Sequence, residues 1–314
     1  RDMLDWVHRF QPESFYAATA GAEISSDLFK SYSTPGGTPE VNVDNRAIFV
    51  DNQFTFTPDF FASISGRVDD HQTFGAQKTW KFAPVYNIAA TGTRLKGTYG
   101  TGFKAPSLFD LYDTTYGNRA LTPEKSRSYE LGFEQNALAN KVTFGATWFH
   151  NSIDNLIVVD LVDPGPPAVY QSVNIGKART QGVESTVTWY PAADWTVTGS
   201  HTFTQADDMQ ADKRLVRRPK HVATAGVTYE YAAGSDIDLN FRYVGLSKDI
   251  DFNYPYGRVG TKGFTTLGVN TNYRLNENAT LYGRIDNLLD KRYEEVYGYG
   301  MPGVSLFAGV KSNF

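Results

Sequence analysis

Five histidines, His8, His71, His150, His201 and His221, are the first places to look for metal ligation or proton transfer. None stands in a ligand spacing such as H-x-x-x-H, and no cysteine is present to complete a site, so they read as isolated rim or wall residues. Ser200 and His201 adjoin. Neighbours along an extended chain point to opposite faces, so this pair cannot act as nucleophile and base. The stretch GTGFKA, Gly100 to Ala105, fits a dinucleotide-binding pattern, but Pro106 stands where the required helix should begin. Its glycines read instead as a strand-to-loop exit. The acidic pairs Asp69-Asp70, Asp207-Asp208 and Asp249-x-Asp251 are too few in ligands for Ca²⁺, unless loops converge. Catalytic residues and a resident metal or cofactor are therefore not expected.

Recognition is the chemistry that remains. Tyr112, Tyr116, Tyr254, Tyr256, Tyr297 and Tyr299 gather in segments rich in Gly and Pro. Such rings offer rigid amphipathic area at low entropic cost, which suits capture of a large planar or polycyclic ligand. Packing of the loops against each other is the alternative.

The elements that must carry these residues are strands. Period-two alternation recurs from end to end: in DLNFRYVG, Leu239, Phe241 and Tyr243 oppose Asp238, Asn240 and Arg242. The terminal PGVSLFAGVKSNF sets Val304, Leu306, Ala308, Val310 and Phe314 on one face, with Phe307 and Ser312 as exceptions. About fourteen such strands are visible, and no amphipathic helix exceeds two turns. Short turns near 58–59, 89–92, 137–140, 191–194, 232–235 and 276–278 alternate with long loops near 27–44, 70–78, 101–125, 155–176, 205–218, 247–262 and 288–301. That alternation predicts an all-β, antiparallel transmembrane β-barrel with short periplasmic turns and long extracellular loops.

Composition agrees. Aromatics make up 14% of a chain with no cysteine and a net charge of −4, its mean hydropathy is −0.39, and no apolar run is long enough for a membrane helix. Blocks of Lys or Arg are lacking, which argues against nucleic acid as a partner. The opening RDMLDWVHRF lacks the apolar core of a signal peptide. Trp189, Tyr190, Trp195, Tyr229, Tyr231 and Tyr273 collect at the short turns as an interfacial girdle. Glu184, Arg242, Arg274, Arg284 and Asp286 fall on the polar, lumen-facing register. Arg217 and Arg218 open a strand after a loop, where they suit an anionic ligand or lipopolysaccharide phosphates.

Several long motifs carry a family resemblance: YGTGFKAPSLFDLY (Tyr99 to Tyr112), LTPEKSRSYELGFE (Leu121 to Glu134), NIGKARTQGVE (Asn174 to Glu184), LVRRPKH (Leu215 to His221) and NLLDKRYEEVYGYGMPG (Asn287 to Gly303). Weaker similarity reaches back through RVDDHQTFGAQKTW (Arg67 to Trp80). In these stretches the chain resembles the C-terminal barrel portion of TonB-dependent outer-membrane transporters, most closely the vitamin B12 receptor type. The resemblance implies a 22-strand barrel plugged by an N-terminal domain. It implies import of a cobalamin-like or ferric-siderophore ligand with energy from the TonB complex, reached through the N-terminal region. Arg242, Arg274, Arg284 and Glu184 would then face the plug, and Phe314 would be the C-terminal signal read by the barrel assembly machinery. Residues 1–314 are expected to form only the C-terminal part, without the plug. A passive porin-like channel and an outer-membrane barrel enzyme stand as alternatives.

Overall fold

The computed structural model describes residues 1–30, 40–253 and 257–312. Its first half comprises β1 (Asp2–Glu13), β2 (Tyr16–Lys30), β3 (Glu40–Thr55), β4 (Phe60–His71), β5 (Gly75–Ile88), β6 (Thr93–Lys104), the short helix α1 (Leu108–Tyr112), β7 (Glu124–Ala137), β8 (Val142–Asp163) and β9 (Val169–Trp189). There follow β10 (Trp195–Asp208), β11 (Lys213–Arg214), β12 (His221–Ala232), β13 (Ser235–Val244), β14 (Ser247–Asp251), β15 (Gly257–Thr261), β16 (Phe264–Arg274), β17 (Ala279–Asp286), β18 (Glu294–Val296), β19 (Tyr299–Gly300) and β20 (Ser305–Ser312).

Among the described residues, fifteen strands form one antiparallel meander in the order β1 to β10, β12, β13, β16, β17, β20, with β11 appended to β10. One more wall strand is therefore present than the sequence suggests. Among the described residues β1 pairs only with β2 and β20 only with β17, so the wall is not closed on itself.

Every expected short turn is found. Three long loops are corrected. Of 27–44, residues 27–30 and 40–44 belong to the β2–β3 ladder, paired from Asp27↔Val43 to Lys30↔Glu40. Residues 72–74 alone join β4 to β5, because Asp70↔Ala76 and His71↔Gly75 extend the ladder and Gly75 turns at φ +64°. Much of 155–176 is strand: pairs from Leu156↔Ile175 to Leu161↔Tyr170 carry the β8–β9 hairpin beyond the rest of the wall. Polar residues give 70–78 the look of a loop, and the cluster Pro164-Gly165-Pro166-Pro167 does so for 155–176, but the ladder satisfies the backbone groups on either side all the same.

Alternation sorts the faces. On β7, Leu131 and Phe133 face outward beside Trp148 and Ala146 of β8, while Glu130 and Gly132 face inward beside Phe149 and Thr147. The girdle at the short turns contains a Trp195–Tyr229 stack at 4.5 Å. On β2–β5 the same rim carries a ring series from Tyr16 through Phe54, Phe56 and Phe60 to Tyr86. A second outward belt lies toward the long loops: Trp80–Tyr99 and Tyr99–Tyr129 at 4.8 Å each, then Tyr129–His150 at 6.2 Å. On β10 the belts are marked by Trp195 and Gln205, the latter bonded to Gln181 at 3.1 Å. Ten residues of strand span about 33 Å, and a tilt of about 40° reduces this to about 25 Å, the height of an outer-membrane apolar band.

Phe307, an exception to the terminal alternation, faces inward opposite Arg284, whose guanidinium lies 4.4 Å from its ring centre. A cation over its face gives this inward ring a partner. Phe314 lies outside the described residues.

Candidate functional site: a stitched rim of long loops

The long loops are built as one surface. After β6, Pro106 ends the strand, and Ser107 caps α1 through a reciprocal bond with Asp110. The helix buries Leu111, and further on the loop buries Leu121. This segment is sewn to the β8–β9 hairpin. Ser172 N donates to Tyr116 O (2.8 Å), Asn118 Nδ2 to Ser172 O (2.9 Å) and Thr122 N to Asn174 Oδ1 (2.8 Å). Glu124 accepts from Ile157 N at 3.0 Å and pairs with Lys104 at 3.2 Å.

The stitching continues around the rim. Met209 N donates to Lys177 O (2.8 Å) and Gly176 N to Gln210 Oε1 (3.0 Å), tying segment 209–220 to β9. Asp249, completely buried in the β14–β15 hairpin, receives Arg217 Nε at 2.9 Å on Oδ1 and Tyr297 N at 2.8 Å on Oδ2. One carboxylate thus joins three loops. Arg242 Nη1 donates to Glu295 Oε1 at 2.7 Å, and Phe264 stacks on Tyr293 with centres 4.1 Å apart. A ring contact of Tyr170 with Phe252 at 5.4 Å joins the β8–β9 hairpin to segment 245–263.

Two recesses open within this rim. One of about 740 Å³ lies inside β2–β6 and is lined by Glu23, Arg67, Asp69 and His71 together with Ser107 and Leu108. Arg67 fills its charge centre, 2.9 Å from Asp69 and 3.4 Å from Glu23. The second, of about 760 Å³, lies between segments 257–263 and 290–303 and is lined by Lys262, Lys291, Arg292, Tyr293 and Tyr297. Each is large enough for a substantial part of a bulky ligand.

The six candidate tyrosines divide among these parts. Tyr112 lies beneath the Arg119 guanidinium at 5.2 Å, and Tyr116 meets Phe109 at 6.2 Å, both within the α1 loop. Tyr297 lines the second recess, and Tyr299 is 72% exposed on β19. Tyr254 and Tyr256 lie outside the described residues. Arg217 is held by Asp249, and Arg218 donates Nη1 to Arg217 O at 3.1 Å.

Among the inward-facing residues, Arg242 belongs to the rim through Glu295, and Arg284 pairs with Asp286 at 3.2 Å. Arg274 reaches the short turn, with Nε bonded to Asn276 O at 3.3 Å. Glu184 faces inward between Thr147 and Thr202. Asp249 is the residue that sequence reasoning misses. The pattern Asp249-x-Asp251 looks like solvated loop charge, and only the convergence of three loops distinguishes the buried member.

Comparison with known proteins adds three findings. A family model described as "TonB dependent receptor-like, beta-barrel" matches residues 3–288. The vitamin B12 transporter BtuB of Vibrio cholerae is 30% identical over 306 residues, covering 94% of this chain and 46% of the relative. The chain thus spans about half the length of the curated relatives it matches. Among solved structures, a mutant of the ferric enterobactin receptor PfeA of Pseudomonas aeruginosa superposes with a TM-score of 0.82 at 19% identity, over 99% of this chain and 53% of that one. The siderophore receptor PirA of Acinetobacter baumannii gives 0.81 at 19% identity, over 99% and 54%.

Proposed function

The chain belongs to the TonB-dependent receptor β-barrel family, integral to the bacterial outer membrane, and from that premise we propose that it forms the C-terminal wall of a receptor importing a bulky, scarce nutrient. The ligand class is cobalamin-like or ferric-siderophore, and the energy is TonB-derived. The observation that carries this reading is the family match over residues 3–288 on a chain whose long loops are sewn into one rim. A preordered surface presents its tyrosines and cations without the entropy cost of ordering loops at capture. The work is binding and passage, with no covalent step.

The plug and the remaining strands belong to the rest of the receptor. Edges such as those of β1 and β20 carry unpaired backbone groups that lipid cannot satisfy, so further strands must cover them. A passive porin would need these two strands to pair with each other, and among the described residues they do not. Lipopolysaccharide and the assembly machinery are the further partners of this reading, with Phe314 as the assembly signal.

The test is uptake of labelled cyanocobalamin and of a ferric catecholate by cells that lack their own receptors and express the full-length protein, with and without TonB. Uptake of either ligand that disappears without TonB is the expected result. A steady TonB-independent conductance, with uptake of neither, overturns it. The intact mass of the native product from outer membranes should lie well above 34.9 kDa.

A further inference from the structure

The outward face of β7–β10 is layered along the strands. Leu131, Trp148, Val183 and Phe203 lie in one cross-strand row. Two residues nearer the long loops comes a polar and aromatic row, Tyr129, His150, Gln181 and Gln205, joined by His150 Nδ1···Gln181 Oε1 at 3.2 Å and Gln181 Nε2→Gln205 Oε1 at 3.1 Å. The next row is Arg127, Ser152, Arg179 and Asp207, with Arg214 of β11 opposite Asp207. Beyond it stand Lys125, Asp154 and Lys177.

Five cations therefore face two carboxylates on a surface that begins where the apolar band ends. The ion pairs within it are long, Arg127–Asp154 at 3.5 Å and Arg179–Asp207 at 3.7 Å. Moreover, Ser152 Oγ, Arg179 Nε and Arg214 Nε, all in one row, are shielded from solvent and have no hydrogen-bond partner among the described residues. A row with spare donors, incompletely matched by its own acids, suits an acceptor of higher charge. Guanidinium groups two strands apart, roughly 10 Å, bracket a phosphate with room for one bidentate contact from each side.

We propose that this outward patch, centred on Arg127, Ser152 and Arg179 and flanked by Lys125 and Lys177, docks the phosphate-bearing headgroup of an outer-leaflet lipid. The occupant is fixed by depth and by charge. Acyl chains would lie on Leu131, Trp148 and Val183, the sugar or glycerol portion on the Tyr129–Gln205 row, and the phosphate on the arginines. The site stands apart from the ligand-capture rim and needs only the membrane location of the wall, so import could fail as a reading without touching it.

The experiment uses the full-length protein purified from outer membranes, with bound lipid phosphorus measured per protein. Its thermal midpoint is then followed on addition of lipopolysaccharide, dephosphorylated lipid A or inorganic phosphate. Expected are retained lipid phosphorus that falls at least fivefold in R127Q/R179Q and a rise in midpoint with lipopolysaccharide alone. R127K/R179K, which keeps the charge but loses the bidentate contacts, should recover only part of the binding. Heat-modifiable gel migration reports the folded wall. Should the arginine pair fail to fold, K125Q/K177Q, altering two exposed side chains, is read in the same way with an expected loss of at least twofold. Unchanged lipid phosphorus in a folded variant overturns the proposal, as does equal protection by inorganic phosphate or by dephosphorylated lipid A.

Discussion

Arg217 and Asp249, 32 residues apart, meet at 2.9 Å, and the carboxylate is wholly buried while the arginine remains 41% exposed. The same carboxylate accepts Tyr297 N and the amide of Ile250. Its removal strands donors from three segments, a loss of roughly 2 kcal/mol in local stability for hydrogen bonds to a charged acceptor. In D249A, amide exchange across 209–220, 245–253 and 290–300 should rise at least tenfold while β7–β10 stay protected. Unaltered exchange in these loops would show that Asp249 does not join them.

Lipid and lumen faces make a paired prediction at Leu239 and Asn240, neighbours on β13. L239R places a charge in the apolar band and should cost about 2–4 kcal/mol in folding, whereas N240R on the inner face should cost well under half as much. Denaturant titration of the full-length protein in lipid vesicles checks the difference. Equal costs would reverse the assignment of faces.

Gly182 sits where β9 approaches β10 so closely that an added Cβ would meet the backbone oxygen of Phe203, with the Phe149 ring beside it at 2.8 Å. G182A should destabilise the wall by about 1–3 kcal/mol, the usual cost of overpacking. G66A is the control, since an added Cβ there meets nothing within 4 Å. Unfolding midpoints of the two variants give the comparison.

Arg284, bonded to Asp286 and covering Phe307, faces the interior where the rest of the receptor is proposed to pack. Charge reversal in R284E should lower uptake and loosen plug docking, measured by protease sensitivity of the plug in the full-length protein. Docking and uptake both left intact would remove Arg284 from that contact.

Whatever depends on local periodicity was legible in the residues alone. Alternation such as Leu239, Phe241 and Tyr243 against Asp238, Asn240 and Arg242 identifies strands with two chemically different faces, because the period of two is a property of the extended backbone. Turns at 89–92 and 276–278 could be read from their residues, and the girdle around Trp195 from its place beside them. Long motifs such as Asn287 to Gly303 carried the family.

Which distant residues meet was settled only by the assembled wall. Tyr297 N and Asp249 are 48 residues apart, and neither has a local pattern that announces the contact. The upper belt from Trp80 to His150 draws one or two rings from each of four strands, so no single stretch displays it. Phe307 breaks the terminal alternation, and its reason is visible only with Arg284 placed opposite it. Register accounts for all three. A one-residue slip exchanges every side chain between lipid and lumen, and that alignment is set by the whole ladder and its turns.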